Sequence, residues 1–143
     1  MLSLELSRRL AYVAGVITPL AETIRRWSTW RETPANFFDD YLLGAFLIYG
    51  AWRTGRDARS GRPYLTAAWA FACGLGYYSF FGQLEGVRRG DPDPARIASV
   101  WVLAIKGVAW AIAILALVVS LKQVPASESE LSKELDEFRS RNL

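Results

Sequence analysis

Runs of apolar residues, separated by short polar segments, alternate along the first 121 residues of the chain. The last run extends from Ile97 to Leu121 and carries one charge, Lys106, while the run before it, Tyr64 to Gly82, carries none. A helix needs about 20 apolar residues to cross roughly 30 Å of hydrocarbon. Both runs are therefore typical of membrane-spanning helices.

Two further runs come earlier in the chain. One extends from Phe37 to Trp52, and the other, Leu10 to Ala21, has only 12 residues. The short run is compatible with a tilted or short span, an interfacial helix or a signal peptide. Arginine pairs stand on both sides of it, and their long side chains can reach the two membrane interfaces, so a span is favoured.

The pattern predicts an all-α fold: a polytopic membrane protein with a four-transmembrane-helix bundle and a short cytoplasmic C-terminal helix. Residues 1–124 form the membrane domain, with spans at about 9–26, 36–53, 63–82 and 96–121, and residues 125–143 form a polar tail. In the tail, Ser127 and Glu130 make a capping box, and Leu131, Leu135 and Phe138 recur at helical spacing.

Proline-containing segments predict where the spans begin. Thr33-Pro34 resembles a helix cap followed by a first-turn proline, and Ser60 to Pro63 resembles a turn. Asp93-Pro94 repeats the cap-and-proline pattern before the last run. We therefore expect Asp93 to be the N-cap of the fourth helix.

Small residues recur at helical spacing on one face of each predicted span. Helices in lipid attract one another through close backbone contact, which small residues permit. These faces are therefore expected to meet inside the bundle. The expected packing residues are Gly15, Gly44, Ala68, Ala72, Gly76, Ala109 and Ala113.

Polar residues fall on the same faces, toward one end of the bundle. Lys106 lies about 14 Å past Ile97 at the rise of an α-helix, and Glu22 or Asp40 is its expected counter-ion. The interpretation as a structural ion pair and the interpretation as a binding site or proton pathway both stay open. The expected cluster comprises Lys106, Glu22, Asp39, Asp40, Tyr77, Tyr78, Ser79 and Gln83.

Composition narrows the chemistry. The chain has no histidine and a single cysteine, Cys73, which excludes histidine-ligated haem and cysteine-ligated metal clusters. We therefore expect no metal and no cofactor. The basic residues stand in short clusters beside apolar runs rather than in a continuous stripe, so nucleic acid is not an expected partner.

Charge also predicts orientation. With four spans, ten lysines and arginines fall on the side of the two termini and six on the other, which favours cytoplasmic termini. Arginine outnumbers lysine 14 to 3. That preference suggests a GC-rich bacterial source, and hence the inner membrane.

No catalytic motif is visible, and this absence orders the functional hypotheses. The leading one is a non-enzymatic accessory, assembly or binding subunit, whose partners are the lipid bilayer and other membrane subunits or further copies of itself. The alternative is a small oligomeric transporter or channel that uses Lys106 and its acidic neighbours, and the third is an intramembrane enzyme acting on lipid or quinone. In length and expected span number the chain resembles small membrane families such as the DoxX-like proteins, with no shared residue motif.

Overall fold

The computed structural model describes residues 3–27, 34–93, 97–122 and residue 139, and these contain four helices and no strand. The helices are α1 (Leu4–Arg26), α2 (Pro34–Arg56), α3 (Ala58–Arg89) and α4 (Ser99–Leu121). The expected all-α class is confirmed. The predicted tail helix, with its capping box at Ser127, lies outside the described residues.

Successive helices run antiparallel and pack in chain order, with α1 against α2, α2 against α3 and α3 against α4, while a smaller contact joins α1 to α4. One end of the bundle holds the start of α1, the α2–α3 connection and the end of α4. We call it the closed end, and the opposite end the open end. Three hydrogen bonds join α4 to the other helices at the closed end. Ser7 Oγ donates to the Ala116 carbonyl at 3.1 Å, and Arg62 Nε and Thr66 Oγ1 donate to the Ser120 carbonyl at 2.7 and 3.4 Å.

The hydrophobic core lies toward the closed end. Leu47, Leu65, Trp69 and Ala116 are each no more than 2% exposed. In α3 the buried positions run from Gly61 to Ala72 and stop there, although the helix continues to Arg89. Because the core ends halfway along α3, the helices enclose space at the open end.

Gly15 and Gly44 allow a close approach of α1 to α2. A Cβ added to Gly44 would stand 2.5 Å from the Gly15 carbonyl oxygen, and one added to Gly15 would stand 2.9 Å from the Gly44 oxygen. α1 and α2 therefore cross with their backbones in contact. Ala68, Ala72 and Ala113 are also buried between helices.

The expected packing face of α4 needs a correction. Gly76 lies under the Trp110 ring, whose Nε1 donates to the Cys73 carbonyl at 3.1 Å. This contact turns Trp110 toward α3, and its chain neighbour Ala109, about 100° round the helix, is exposed. The packing position expected for Ala109 is thus taken by Trp110.

Two predicted helix starts are wrong. Residues Ser60 to Pro63 belong to α3 rather than to a turn, because Asp57 caps the helix earlier, its carboxylate accepting from the Arg59 backbone N–H at 3.0 Å. α4 begins at Ser99, with Ala98 as N-cap, so Asp93 does not cap it. The predicted start of α2 at Pro34 is confirmed.

One helix among those described, Ser99–Leu121, is long and apolar enough to cross a membrane by length and composition. The other three are comparable in length or longer, but they carry arginines, acidic residues and small polar residues along with their apolar ones. Composition alone therefore identifies one candidate span rather than the expected four.

Candidate functional site

A cavity of about 840 Å³ lies at the open end of the bundle, between all four helices. The polar residues that the sequence groups together all line it, although they come from different helices. α1 contributes Glu22, α2 contributes Asp39 and Asp40, α3 contributes Tyr77, Tyr78, Ser79 and Gln83, and α4 contributes Lys106.

An aromatic cluster packs between α3 and α4 beside the cavity. Phe80 stacks on Trp110 with ring centroids 5.7 Å apart, and Tyr77 meets the same indole edge-on at 5.8 Å. A Cβ on Gly107, the residue after Lys106, would stand 3.1 Å from the Phe80 ring. These large rings fix the position of α4 beside α3, and with it the level at which Lys106 enters the cavity.

Glu22 is held by arginines of its own helix. Its Oε2 atom accepts from Arg25 Nη2 at 2.8 Å and forms an ion pair with Arg26 Nε at 3.0 Å. These residues follow Glu22 by one helical turn, so their side chains share its face. Among the described residues, Glu22 therefore forms its ion pairs with these arginines and none with Lys106.

Arg25 also binds across the molecule. Its Nη1 atom lies 2.7 Å from Asp93 Oδ2, and the two side chains are only 12% and 1% exposed. Asp93 precedes α4 in the connection from α3, so this pair ties the end of α1 to that connection. The pair was not expected from the sequence, because Asp93 followed by proline is typical of a helix cap.

Four charged groups of the cavity are left without a direct partner among the described residues. Lys106 and Asp40 are half-buried, Asp39 and Glu85 are exposed, and none of them forms a hydrogen bond or an ion pair within 4.0 Å of another described side chain. Glu22 and Asp40 still act on Lys106 electrostatically across the cavity. Among the described residues, the cavity thus presents an unpaired cation on α4 and unpaired carboxylates on α2 and α3.

Charges of both signs surround the cavity: the lining includes six carboxylates and four cations. Four of these ten residues, Glu22, Asp39, Asp40 and Lys106, were expected from the sequence. The other six are Arg25, Arg26, Glu85, Arg89, Asp91 and Asp93. Within the described ranges, no group of three or more histidine, cysteine, aspartate or glutamate side chains is placed to hold a metal ion.

Comparison with known proteins gives no relative from which a role could be transferred: no family model, no curated protein and no solved structure matches this chain.

Proposed function

We propose that this chain is a four-span membrane protein that binds, without catalysis, a small molecule carrying charges of both signs in the cavity at the open end. The observation that carries the proposal is the unpaired Lys106 ammonium on α4, which shares one cavity with the unpaired Asp39 and Asp40 carboxylates on α2. In this role the chain serves as a binding or accessory subunit, alone or beside other membrane subunits.

The outer surface supports a membrane location for all four helices. Large apolar side chains point outward on each of them, for example Ile17 (57% exposed) on α1, Phe38 (67%) on α2, Phe71 (37%) on α3 and Ile105 (67%) on α4. Monomeric soluble proteins rarely expose large contiguous apolar patches, because water at such surfaces costs free energy. Lipid removes that cost, and the charged residues of α1 to α3 line the cavity or lie near the two ends of the bundle.

The charges at the cavity indicate the class of ligand. Bringing one unpaired charge out of water is costly unless an opposite charge accompanies it. A zwitterion satisfies both sides, since its anionic group pairs with Lys106 while its cationic group pairs with Asp39 or Asp40. Singly charged molecules leave one of the two protein charges uncompensated.

Binding fits the packing better than conduction does. The closed end is filled by residues that are almost fully buried, including Ser7, Leu47, Leu65 and Ser120. Within the described chain, no second opening faces the cavity from that end. A ligand therefore enters and leaves by the open end in this conformation.

A thermal-shift titration in mild detergent tests the proposal. Phosphoethanolamine is the zwitterionic probe, and inorganic phosphate and ethanolamine are its two halves, each of which carries charge of one sign only. We expect the zwitterion to raise the melting temperature of the wild type and of Lys122→Met, but not of Lys106→Met or Asp40→Asn. Lys122 is an exposed lysine just beyond the other end of α4, so its substitution removes the same charge away from the cavity. Two results would contradict the proposal. One is that inorganic phosphate or ethanolamine alone raises the melting temperature as much as phosphoethanolamine does. The other is that phosphoethanolamine raises the melting temperature of Lys106→Met as much as that of the wild type.

A second candidate is transport by an oligomer, and the unpaired Lys106 favours it as well, since intramembrane ionisable groups often mark pathways. Transport requires the filled closed end to open. Flux of the same zwitterion into proteoliposomes that contain the wild type, abolished in Lys106→Met, would favour this candidate. Binding without flux in the wild type favours the binding subunit.

A further inference from the structure

We propose that the outer face of α2 and α3 at the closed end binds the headgroup phosphate of an anionic phospholipid. Five residues define this arginine–aromatic face: Tyr49, Trp52, Arg53, Arg56 and Tyr64. The inference rests on the proposed membrane location, but it does not depend on the cavity, which lies at the opposite end of the bundle.

The closed end is strongly basic. Its described residues carry seven cations, which are Arg8, Arg9, Arg53, Arg56, Arg59, Arg62 and Lys122, and two carboxylates, which are Glu5 and Asp57. At the open end the described carboxylates outnumber the cations by six to five. An anionic lipid is therefore attracted to one end only, since each arginine near a membrane surface contributes about 1 kcal/mol to such attraction.

Both carboxylates of the closed end are already engaged. Glu5 forms ion pairs with Arg8 at 2.8 Å and Arg9 at 2.9 Å. Asp57 accepts from the backbone of α3, and hydrogen bonds from Ser60 and Arg59 hold the pKa of its carboxyl below the usual value of 3.8. Neither acid forms an ion pair with Arg53 or Arg56, so these two guanidinium groups keep their charge available for a phosphate.

Arg53 also has an unused donor. Its Nε atom is buried and has no hydrogen-bond partner among the described residues. Buried polar atoms nearly always have a partner, because an unsatisfied donor costs about 1–3 kcal/mol. Turning this guanidinium toward a phosphate breaks no existing hydrogen bond of the Nε atom and gives it an acceptor.

Aromatic rings hold both guanidinium groups at this face. Arg56 Cζ lies 4.6 Å from the centre of the Trp52 ring, and Arg53 Cζ lies 5.8 Å from that of Tyr64. Tyr49 packs edge-on against Tyr64 at 5.6 Å. The three rings are 43–48% exposed, which is the arrangement of amphipathic rings at the level of lipid headgroups.

The face becomes apolar toward the middle of the bundle, which distinguishes a lipid from free phosphate. Phe46 and Phe71 lie one to two helical turns further in, with ring centroids 5.9 Å apart, and both are more than a third exposed. Guanidinium groups, then amphipathic rings, then phenyl rings follow one another along the same face. A phospholipid has the same order of phosphate, glycerol ester and acyl chain.

Native mass spectrometry of the protein in a neutral detergent, titrated with phosphatidylglycerol or phosphatidylcholine, tests this site. We expect tighter binding of phosphatidylglycerol, and binding roughly 30-fold weaker in the double variant Arg53→Gln/Arg56→Gln, which removes two arginine contributions. The matched control, Arg88→Gln/Arg89→Gln, removes two exposed charges at the opposite end of the bundle and is expected to bind as the wild type does. Arg53→Lys/Arg56→Lys keeps the charge and should retain part of the affinity.

Three results would overturn the inference: equal affinity for the two lipids, displacement of the lipid by excess inorganic phosphate, or equal loss in the double variant and its control. Circular dichroism of each variant checks that the helices are retained, and the lysine pair supplies a folded comparison if the glutamine pair does not fold. Retention of the wild type in carbonate-washed membranes is measured first. Failure there counts against the proposed membrane location, whereas failure of lipid selectivity counts against this site alone.

Discussion

Arg25 Nη1 and Asp93 Oδ2 form an ion pair at 2.7 Å, although 68 residues separate them in the chain. The pair is almost fully shielded, with the Asp93 side chain 1% exposed. It connects the last turn of α1 to the segment that leads into α4, at the rim of the cavity. Because the bundle is weakly packed at this end, the pair is expected to matter for the shape of the cavity and for stability.

Replacing Arg25 with Gln should destabilise the fold by about 3 kcal/mol, because it leaves the buried Asp93 carboxylate without its guanidinium partner. The double variant Arg25→Gln/Asp93→Asn should recover part of that loss. Chemical denaturation in mild detergent measures all three proteins. The exposed pair of Arg89 with Asp91 is the control, since Arg89→Gln should cost at most about 1 kcal/mol. Additive effects of the Arg25 and Asp93 substitutions would mean that the pair is not coupled.

Gly44→Ala should destabilise the contact between α1 and α2. The added methyl group would stand 2.5 Å from the Gly15 carbonyl oxygen, which is backbone and cannot move without separating the helices. Overpacking of this kind typically costs about 1–3 kcal/mol. Gly74→Ala on α3 is the matched control, because nothing lies within 4 Å of its added Cβ, and it should be neutral or slightly stabilising. Thermal denaturation of the two variants side by side gives the answer, and equal melting temperatures would be incompatible with a close crossing at Gly44.

The Asp57 cap predicts a pH dependence of stability. Hydrogen bonds from the Ser60 side chain and the Arg59 backbone lower the pKa of Asp57 in the folded protein below its ordinary value of 3.8. A lowered pKa favours folding above the ordinary pKa, and this contribution is lost as the pH falls through the folded pKa. The stability difference between wild type and Asp57→Ala should therefore be constant near neutral pH and shrink below about pH 4. If the stability difference between wild type and Asp57→Ala instead grew as the pH fell, the stabilisation would have to come from a group other than the Asp57 carboxylate.

Helical spacing in the sequence was sufficient to group four of the ten charged residues that line the cavity. Glu22, Asp40 and Lys106 share the small-residue faces of their helices, and such faces turn inward whenever helices pack closely. Their partners could not be predicted in the same way. Glu22 has arginines one turn along its own helix, and these reach it before any residue of another helix does.

Local patterns failed where tertiary contacts or a competing cap decided the outcome. Asp93 followed by proline is typical of a helix start, yet an arginine from α1 binds its carboxylate and α4 begins later, at Ser99. Ser60 to Pro63 has the composition of a turn, yet Asp57 caps the helix before it. On α4, the size of Trp110 rather than the smallness of Ala109 sets the rotation of the helix.

The charge difference between the two ends predicts how the bundle lies in the membrane. The described residues of the closed end include seven cations against two carboxylates, whereas those of the open end are nearly balanced. Because positively charged segments stay in the cytoplasm, the closed end should face inward. In a Cys73→Ala background, a membrane-impermeant maleimide should label Arg88→Cys in spheroplasts, and Ser60→Cys only after permeabilisation.

The same labelling assay tests the orientation and the number of spans separately. Both labelled positions are exposed, so a lack of reaction reports the membrane rather than burial in the protein. Reversed accessibility would mean that the closed end faces outward. Ser3→Cys, at the start of α1, should behave like Ser60→Cys, because an antiparallel pair of spanning helices brings both positions to the same side. Labelling of Ser3→Cys and Ser60→Cys from opposite sides would mean that one of the first two helices does not cross, and the charged cavity would then lie at the membrane surface rather than within a four-span bundle.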